Sequence, residues 1–279
     1  MKKLTTFALS LAIIIGGFIS CEMASDTDDT GETGTLSVHL SDNPFPIELV
    51  SAATVKIDSV VIREKDESNE GNPFITLNTD SKTYNLLELQ NGVTASLAEL
   101  DIPEGEYDLL RLYVDSAGII LSNGASYDIF VPSGAQTGIK IFIDPAIPVQ
   151  GGLTSELLLD LDVSKSFVLL GNLNSPAGVT GFNFKPVIRA VNLSTSGRIT
   201  GTVSDSTGSP VTDASQVWAA QDTVVSNTFT DDNGAYALIG LPEGTYTVSA
   251  IIHEDTLVTD GVEVVAANAT TLDIQWSNE

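Results

Sequence analysis

Residues 157–163 read LLLDLDV. Leu157, Leu159, Leu161 and Val163 fall at every second position, with Asp160 and Asp162 between them. Successive side chains of a β-strand point to opposite faces, so this run reads as a strand with one apolar face and one acidic face. The same period recurs on either side of it. Leu36, Val38 and Leu40 alternate with polar neighbours, and so do Ile139, Ile141 and Ile143. Val55-Lys56-Ile57 is followed by Val60 and Ile62, a change of phase that predicts a bulge or bend near Ser59. Gly, Pro, Asn and Asp punctuate the runs, as DNPFP at 42–46, EGNP at 70–73, SNG at 122–124 and SPAG at 175–178. Helical turns are expected only at 84–89 and 94–100. The expected class is therefore all-β, with antiparallel sheets packed as two β-sandwich domains.

Ser194-Thr195-Ser196-Gly197 is small, polar and without an apolar period, and reads as a linker. It separates an expected sandwich at 35–193 from a second at 198–279, in which Arg198 is the only basic residue. One motif occurs on both sides: IPEGEY at 102–107 and LPEGTY at 241–246. Pro pre-sets a turn, Gly relieves it, and Tyr107 or Tyr246 opens a strand.

The N-terminus has a different character. Lys2 and Lys3 precede an apolar run from Phe7 to Ile19, and Gly16, Gly17 and Ser20 lead to Cys21. This is the layout of a secretory signal peptide over 1–20, and the run is shorter than the ~18 residues expected of a spanning helix. Cys21 is the only cysteine, so no internal disulfide can form, and a lone thiol in an exported chain calls for a reason. Phe18-Ile19-Ser20-Cys21 resembles a lipobox, with Phe18 where leucine is usual. That resemblance implies cleavage before Cys21 and acylation of its sulfur, hence a membrane partner reached through a lipid anchor. Residues 21–34 are then a lipidated cysteine and an acidic flexible tether. The tether resembles the segment that directs some Bacteroidetes lipoproteins to the outer cell surface. Asp26, Asp28, Thr30 and Gly31 also fit the opening of a calcium loop, but its twelfth position is Ser37 rather than the required Glu.

All 37 acids lie beyond Cys21, and two of the 12 Lys and Arg lie before it, so the mature chain carries 37 acids against 10 bases, a net −27. A field of that sign repels a polyanion at long range, so no nucleic-acid partner is expected.

Residues 198–276 resemble a carboxypeptidase regulatory-like domain, a small transthyretin-like or Ig-like sandwich. The resemblance rests on Gly201-Thr202-Val203, Asp205, Gly208, Pro210-Val211, Ala214, the stretch TDDNGAY at 230–236 and LPEGTY at 241–246. It implies a structural or interaction module, sometimes classed with carbohydrate-binding-like folds, and brings no catalytic residues. Gly208 and Asn233-Gly234 are expected to turn hairpins, and Tyr246 to fill the core beside its turn. Residues 34–193 resemble an uncharacterised domain of unknown function found in exported lipoproteins of Bacteroidetes and other prokaryotes. GTLSVHLSDNP, YNLLELQNGV, IPEGEYDLLRLYV, YDIFVPSGAQTGIKI, LLLDLDVSKSFV and FKPVIRAV carry that resemblance. It implies location and fold and leaves activity open.

Candidates for chemistry are few. His39, on the polar face of the first strand, and His253, after the strand ending at Ile252, read as surface or edge histidines. His39-Leu40-Ser41-Asp42 lacks the Glu and the third ligand of a metallopeptidase site, so no metal is expected. There is no G-x-S-x-G elbow, Walker loop or dinucleotide fingerprint, so neither a catalytic residue nor a cofactor is expected. Trp218 and Trp276 could stack on sugar rings, although their apolar neighbours favour packing in or beside the second sandwich. Ser59, Ser116, Ser206, Thr223 and Thr256 each follow an Asp and precede an apolar or small residue, which resembles the sequon of Bacteroidetes O-glycosylation. The functional expectation is a non-enzymatic outer-membrane lipoprotein displaying binding modules for a glycan or an envelope protein. The alternatives are a fimbrillin-like structural or accessory subunit of a surface appendage, and an unrecognised hydrolase.

Overall fold

The computed structural model describes residues 32–43, 50–65, 74–131, 134–172, 178–252 and 254–277. The first sandwich comprises β1 (Thr33–Asn43), β2 (Val50–Glu64), β3 (Ile75–Asn78), β4 (Lys82–Asn85), β5 (Ala95–Pro103), β6 (Gly105–Leu121), β7 (Ser126–Phe130), β8 (Ile139–Val149), β9 (Thr154–Asp162), β10 (Phe167–Gly171), β11 (Val179–Phe184) and β12 (Ile188–Asn192). The second comprises β13 (Gly197–Ser204), β14 (Gln216–Ala220), β15 (Val224–Phe229), β16 (Ala235–Leu241), β17 (Gly244–Ile252), β18 (Asp255–Val264), β19 (Ala269–Thr271) and β20 (Ile274–Gln275). Among the described residues the named helical elements are a 3-10 turn at Leu86–Glu88 and two four-residue helices, α1 (Gly134–Thr137) and α2 (Val163–Ser166), and Gly178 is also 3-10. None of these is long or apolar enough to cross a membrane. Both sandwiches belong to one compact unit, Gly31–Glu279.

In the first sandwich a sheet of order β12-β9-β1-β5 packs on one built around β2 and β6, with β3, β4, β7 and β8 beside them. The inward positions of the alternating runs, Leu36, Val38, Leu40, Leu157, Leu159 and Leu161, are all buried in one core. Each such side chain contributes ~1.5–3 kcal/mol relative to leaving it exposed. The second sandwich pairs β16-β13-β19/β20 with β15-β14-β17-β18 over a separate core that includes Val217, Leu238 and Val248. The register of β2 against β6 shifts on both sides of Ile57, which is the break expected near Ser59.

The structure corrects three expectations. Residues 94–100 form no helical turn. From Ala95 onward they are β5, paired with β1 across a bulge that lets the neighbours Leu97 and Ala98 both be buried. The three-residue spacing of Leu97 and Leu100 mimics a helix locally, but the open edge of β1 decides the outcome. Residues 84–89 hold only the 3-10 turn, because Tyr84 belongs to β4. The antiparallel sandwich class holds, and within it β1 also runs parallel to β9, and β13 parallel to β19 and β20. Finally, the first strand begins at Thr33, inside the expected tether. Gly34 is buried there, where any side chain would collide with the carbonyl of Gln150.

The repeated IPEGEY and LPEGTY motifs adopt the same local structure. Tyr107 and Tyr246 are 0% and 1% exposed. Their hydroxyls donate back to the carbonyls of Pro103 at 2.8 Å and Pro242 at 2.7 Å, four residues upstream in each case. This is the geometry of a tyrosine corner, which ties a turn to the strand leaving it. Burial pushes the Tyr107 hydroxyl up to about 12 and also raises that of Tyr246. Either Tyr→Phe change keeps the ring and orphans a carbonyl, so each should cost about 1–3 kcal/mol in denaturant melts. A loss under 0.5 kcal/mol for both, within the range of ordinary surface changes, would show that the corners are incidental.

Candidate functional site

The alternation in β9 predicts a half-buried strand. Instead β9 is buried on both faces from Leu157 to Asp162. One face lies on the first core, and the second sandwich covers the other. Two first-sandwich side chains hold it there, and both reach β16, the edge strand of its sheet.

Asn91 is the first of them. It sits at φ 56 in the Asn91-Gly92 turn after the 3-10 helix. Its amide oxygen accepts from the N–H of Ala237 at 2.6 Å, and its amide nitrogen donates to the carbonyl of Ala235 at 3.1 Å. The side chain thus pairs with the strand edge as a neighbouring strand would, and blunts an edge otherwise open to foreign strands. Gly92 allows the approach, since a Cβ there would lie 3.0 Å from that of Ala237.

Arg189, on β12, is the second. Its Nη2 and Nε donate to Oδ2 of Asp160 at 2.9 and 3.3 Å, and its Nη1 donates to the carbonyl of Gly240 at 2.9 Å. Asp160 also accepts from Ser41 Oγ at 3.5 Å. Burial raises the pKa of Asp160 and the Arg189 guanidinium pulls it back. Gly240 has φ +66, and a side chain there would press on Leu158 and Val191 at 3.4 Å.

Asp42 completes the acidic group. The parallel register sets it beside Leu161, on the core side of the sheet. Its oxygens accept from the N–H of Val163 and the amide of Gln90, each at 3.3 Å. Burial pushes its pKa up to about 9, helped by the nearby charges of Asp160 and Asp162. Asp162 caps α2, accepting from Lys165 N at 3.0 Å and pairing with Lys165 Nζ at 2.7 Å. The void beside Asp42 and Asp160 is about 10 Å³, room for a single water and too small for a substrate. Among the described residues no group of three His, Cys, Asp or Glu is arranged to hold a metal ion.

Beside this locked junction lies a half-open cleft of about 420 Å³. Thr94, Glu156, Ser194, Arg198 and Asn268 line it, together with Gly92 and Gly240. Arg198, the only Lys or Arg after residue 197, has no acidic partner among the described residues. The Ser196 hydroxyl, also on the cleft wall, is buried without a hydrogen-bond partner.

The residues singled out in the sequence do not converge on this site. His39 is half-buried, with Ser37 Oγ at 3.2 Å and Glu156 at 3.9 Å. Trp218 is half-buried in β14 and alternates with the core residues Val217 and Ala219. Trp276 packs against the second core, and its Nε1 donates to Asp255 at 2.9 Å. Ser206 and Thr223 are exposed in turns and Thr256 is exposed in β18, whereas Ser59 and Ser116 are half-buried. The leader at 1–20, Cys21, residues 22–31 of the tether and His253 lie outside the described residues. So do residues 44–46, 70–73 and 175–177 of the expected turns, while Gly208 and Gly234 turn hairpins at φ 83 and φ 70. Asn91 was legible as an Asn-Gly turn, but nothing local marks its docking role. Arg189 carries no local signal either.

Comparison with known proteins matches residues 33–186 to a family described as a domain of unknown function, DUF4382, and residues 198–277 to the carboxypeptidase regulatory-like domain. No curated protein matches the chain. Among solved structures it is similar to the TIE protein of Bacillus anthracis, at 15% identity and a TM-score of 0.23, over 88% of this chain and 34% of that one. It is also similar to the shaft pilin SpaA of Lactobacillus rhamnosus GG, at 12% identity and a TM-score of 0.26, over 88% and 98% of the two chains. A fimbrial protein of Bacteroides ovatus matches at 8% identity and a TM-score of 0.24, over 89% and 50%. The chain thus spans about a third of the first of these structures, and superpositions this loose carry no argument about function.

Proposed function

Since the chain belongs to the DUF4382 family and carries a carboxypeptidase regulatory-like domain behind it, we propose that it is a non-enzymatic cell-envelope lipoprotein, anchored through Cys21 to the outer membrane and displaying a binding body outward. The partner is a glycan or an envelope protein, taken up at the cleft between the sandwiches. The observation that supports this reading most is Arg198. It is a guanidinium without an acidic partner among the described residues, in an acidic chain, at a polar cleft whose walls belong to two sandwiches pinned together by Asn91 and Arg189. A rigid cleft loses little freedom on binding, which favours recognition. The buried acids Asp42 and Asp160 serve the junction and have no room for a substrate beside them.

Two experiments test the two halves of the proposal. Wild type and Cys21→Ser are compared by fractionation and by protease shaving of intact cells. Wild type should stay with the outer membrane and be shaved, and Cys21→Ser should be released. Retention of Cys21→Ser at the wild-type level overturns the anchor. The full chain is then screened on glycan arrays and in envelope pull-downs, beside Arg198→Gln. A partner held by the cleft should bind about tenfold more weakly to Arg198→Gln, the loss of one charge-assisted hydrogen bond. Empty screens, or binding indifferent to Arg198, overturn the cleft.

A further inference from the structure

A second surface has a charge pattern that folding does not explain. Arg111 on β6 and Lys140 on β8 are direct cross-strand partners on the outer face of the first sandwich. Like charges placed opposite one another weaken an antiparallel pair, and the chain has 37 acids from which partners could have been drawn. Neighbouring cations have them. Lys56 meets Asp115 at 3.0 Å, Arg63 meets Asp108 at 2.8 Å, and Lys65, just beyond β2, meets Glu106 at 3.2 Å. Arg111 and Lys140 have no acid among the described residues, and Arg111 Nε is buried without a hydrogen-bond partner.

The pair is also positioned. The ring of Phe74 lies 4.3 Å from the Arg111 guanidinium carbon. Gly138, at φ +68 after α1, backs the same residue, leaving only 3.2 Å from its own Cβ position to that of Arg111. Two places along β8 from Lys140, and so on the same face about 7 Å away, Phe142 is 71% exposed. Single exposed aromatics are ordinary on protein surfaces. One set beside two cations that no acid among the described residues neutralises presents an apolar plate next to a carboxylate site.

We infer that Arg111, Lys140 and Phe142 form a binding site for an anionic glycan, with a uronate carboxylate held by the two cations and the apolar face of the sugar ring on Phe142. A rigid ring bearing its carboxylate matches a flat plate beside fixed charges better than a flexible acidic peptide does. The surface is separate from the junction cleft, and the inference stands independently of what the cleft binds.

The test is binding of oligogalacturonate to the full chain, beside a carboxyl-reduced oligomer of equal length and a glutamate oligomer of equal charge. Oligogalacturonate should bind at least about tenfold more tightly than either comparator. Lys140→Gln and Phe142→Ala, both at exposed positions, should each weaken it about tenfold. Lys185→Gln, which removes one exposed positive charge elsewhere, and Arg198→Gln, in the cleft, should leave it unchanged. Failure to bind oligogalacturonate overturns the site, as does wild-type binding by both Lys140→Gln and Phe142→Ala. Equal binding of the glutamate oligomer overturns the assignment to a glycan. Loss on Arg198→Gln alone would move the site to the cleft.

Discussion

Arg189→Ala is expected to destabilise the protein by about 3–5 kcal/mol, because it leaves Asp160 buried without its cation. Asp160 is 8% exposed and takes two hydrogen bonds from that guanidinium. The same change removes the donor to the Gly240 carbonyl on the second sandwich. The loss should therefore appear as weaker attachment between the sandwiches as well as a lower denaturation midpoint. Limited proteolysis should cut near 192–197 sooner in the variant. The pairing itself is measured by a double-mutant cycle with Asp160→Asn. Neutralising the acid should recover much of the loss, since an orphaned charge costs far more than a matched neutral pair. Additive effects in the cycle would show that the two residues act independently, contrary to their 2.9 Å contact.

Asp42→Asn is expected to stabilise the protein above neutral pH, by as much as about 4 kcal/mol from the distance between pH 7 and an ordinary carboxyl pKa near 3.9. The folded-state pKa of Asp42 is raised to about 9 by burial. Between about pH 4 and pH 9 the folded chain therefore holds a proton that the unfolded chain has released. Stability is then highest below the unfolded pKa and falls as pH rises towards the folded one. An amide at position 42 keeps the shape and can still accept from Val163, while Gln90 turns its amide to suit. Denaturant midpoints of wild type should fall from pH 5 to pH 8, and those of Asp42→Asn should fall much less. Parallel slopes would show that Asp42 ionises freely in the folded protein.

Both predictions concern residues to which sequence reasoning gave no role at the junction. The alternation in LLLDLDV correctly divided β9 into a leucine face and an aspartate face, because side-chain direction in a strand depends only on position along it. The turns at Gly208 and Asn233-Gly234 were legible for a similar reason, since they need only local backbone freedom, as was the placing of Tyr107 and Tyr246 at the start of a strand. Residues 94–100 were misread because their local spacing suits a helix, whereas pairing with β1, some sixty residues away, makes them a strand. The candidate glycan platforms Trp218 and Trp276 stood out by residue type. The residues that pin the junction, Asn91 and Arg189, are an ordinary turn asparagine and an ordinary strand arginine until the partner edge is brought to them.

The sequence by itself determined the all-β class, the inward face of each regular strand, the turns that lead into the Tyr107 and Tyr246 strands and the lone Cys21 behind an apolar run. These follow from period, turn chemistry and composition, each carried within a few residues. Only the tertiary structure decided that the acidic face of β9 is buried against a second sandwich, with Asp42 of β1 buried nearby, a guanidinium committed to Asp160 and a polar cleft left at the seam. The physical reason is that a strand's pattern states what its two faces are made of. What covers the second face depends on the edge of β16, lying more than seventy residues further along the chain.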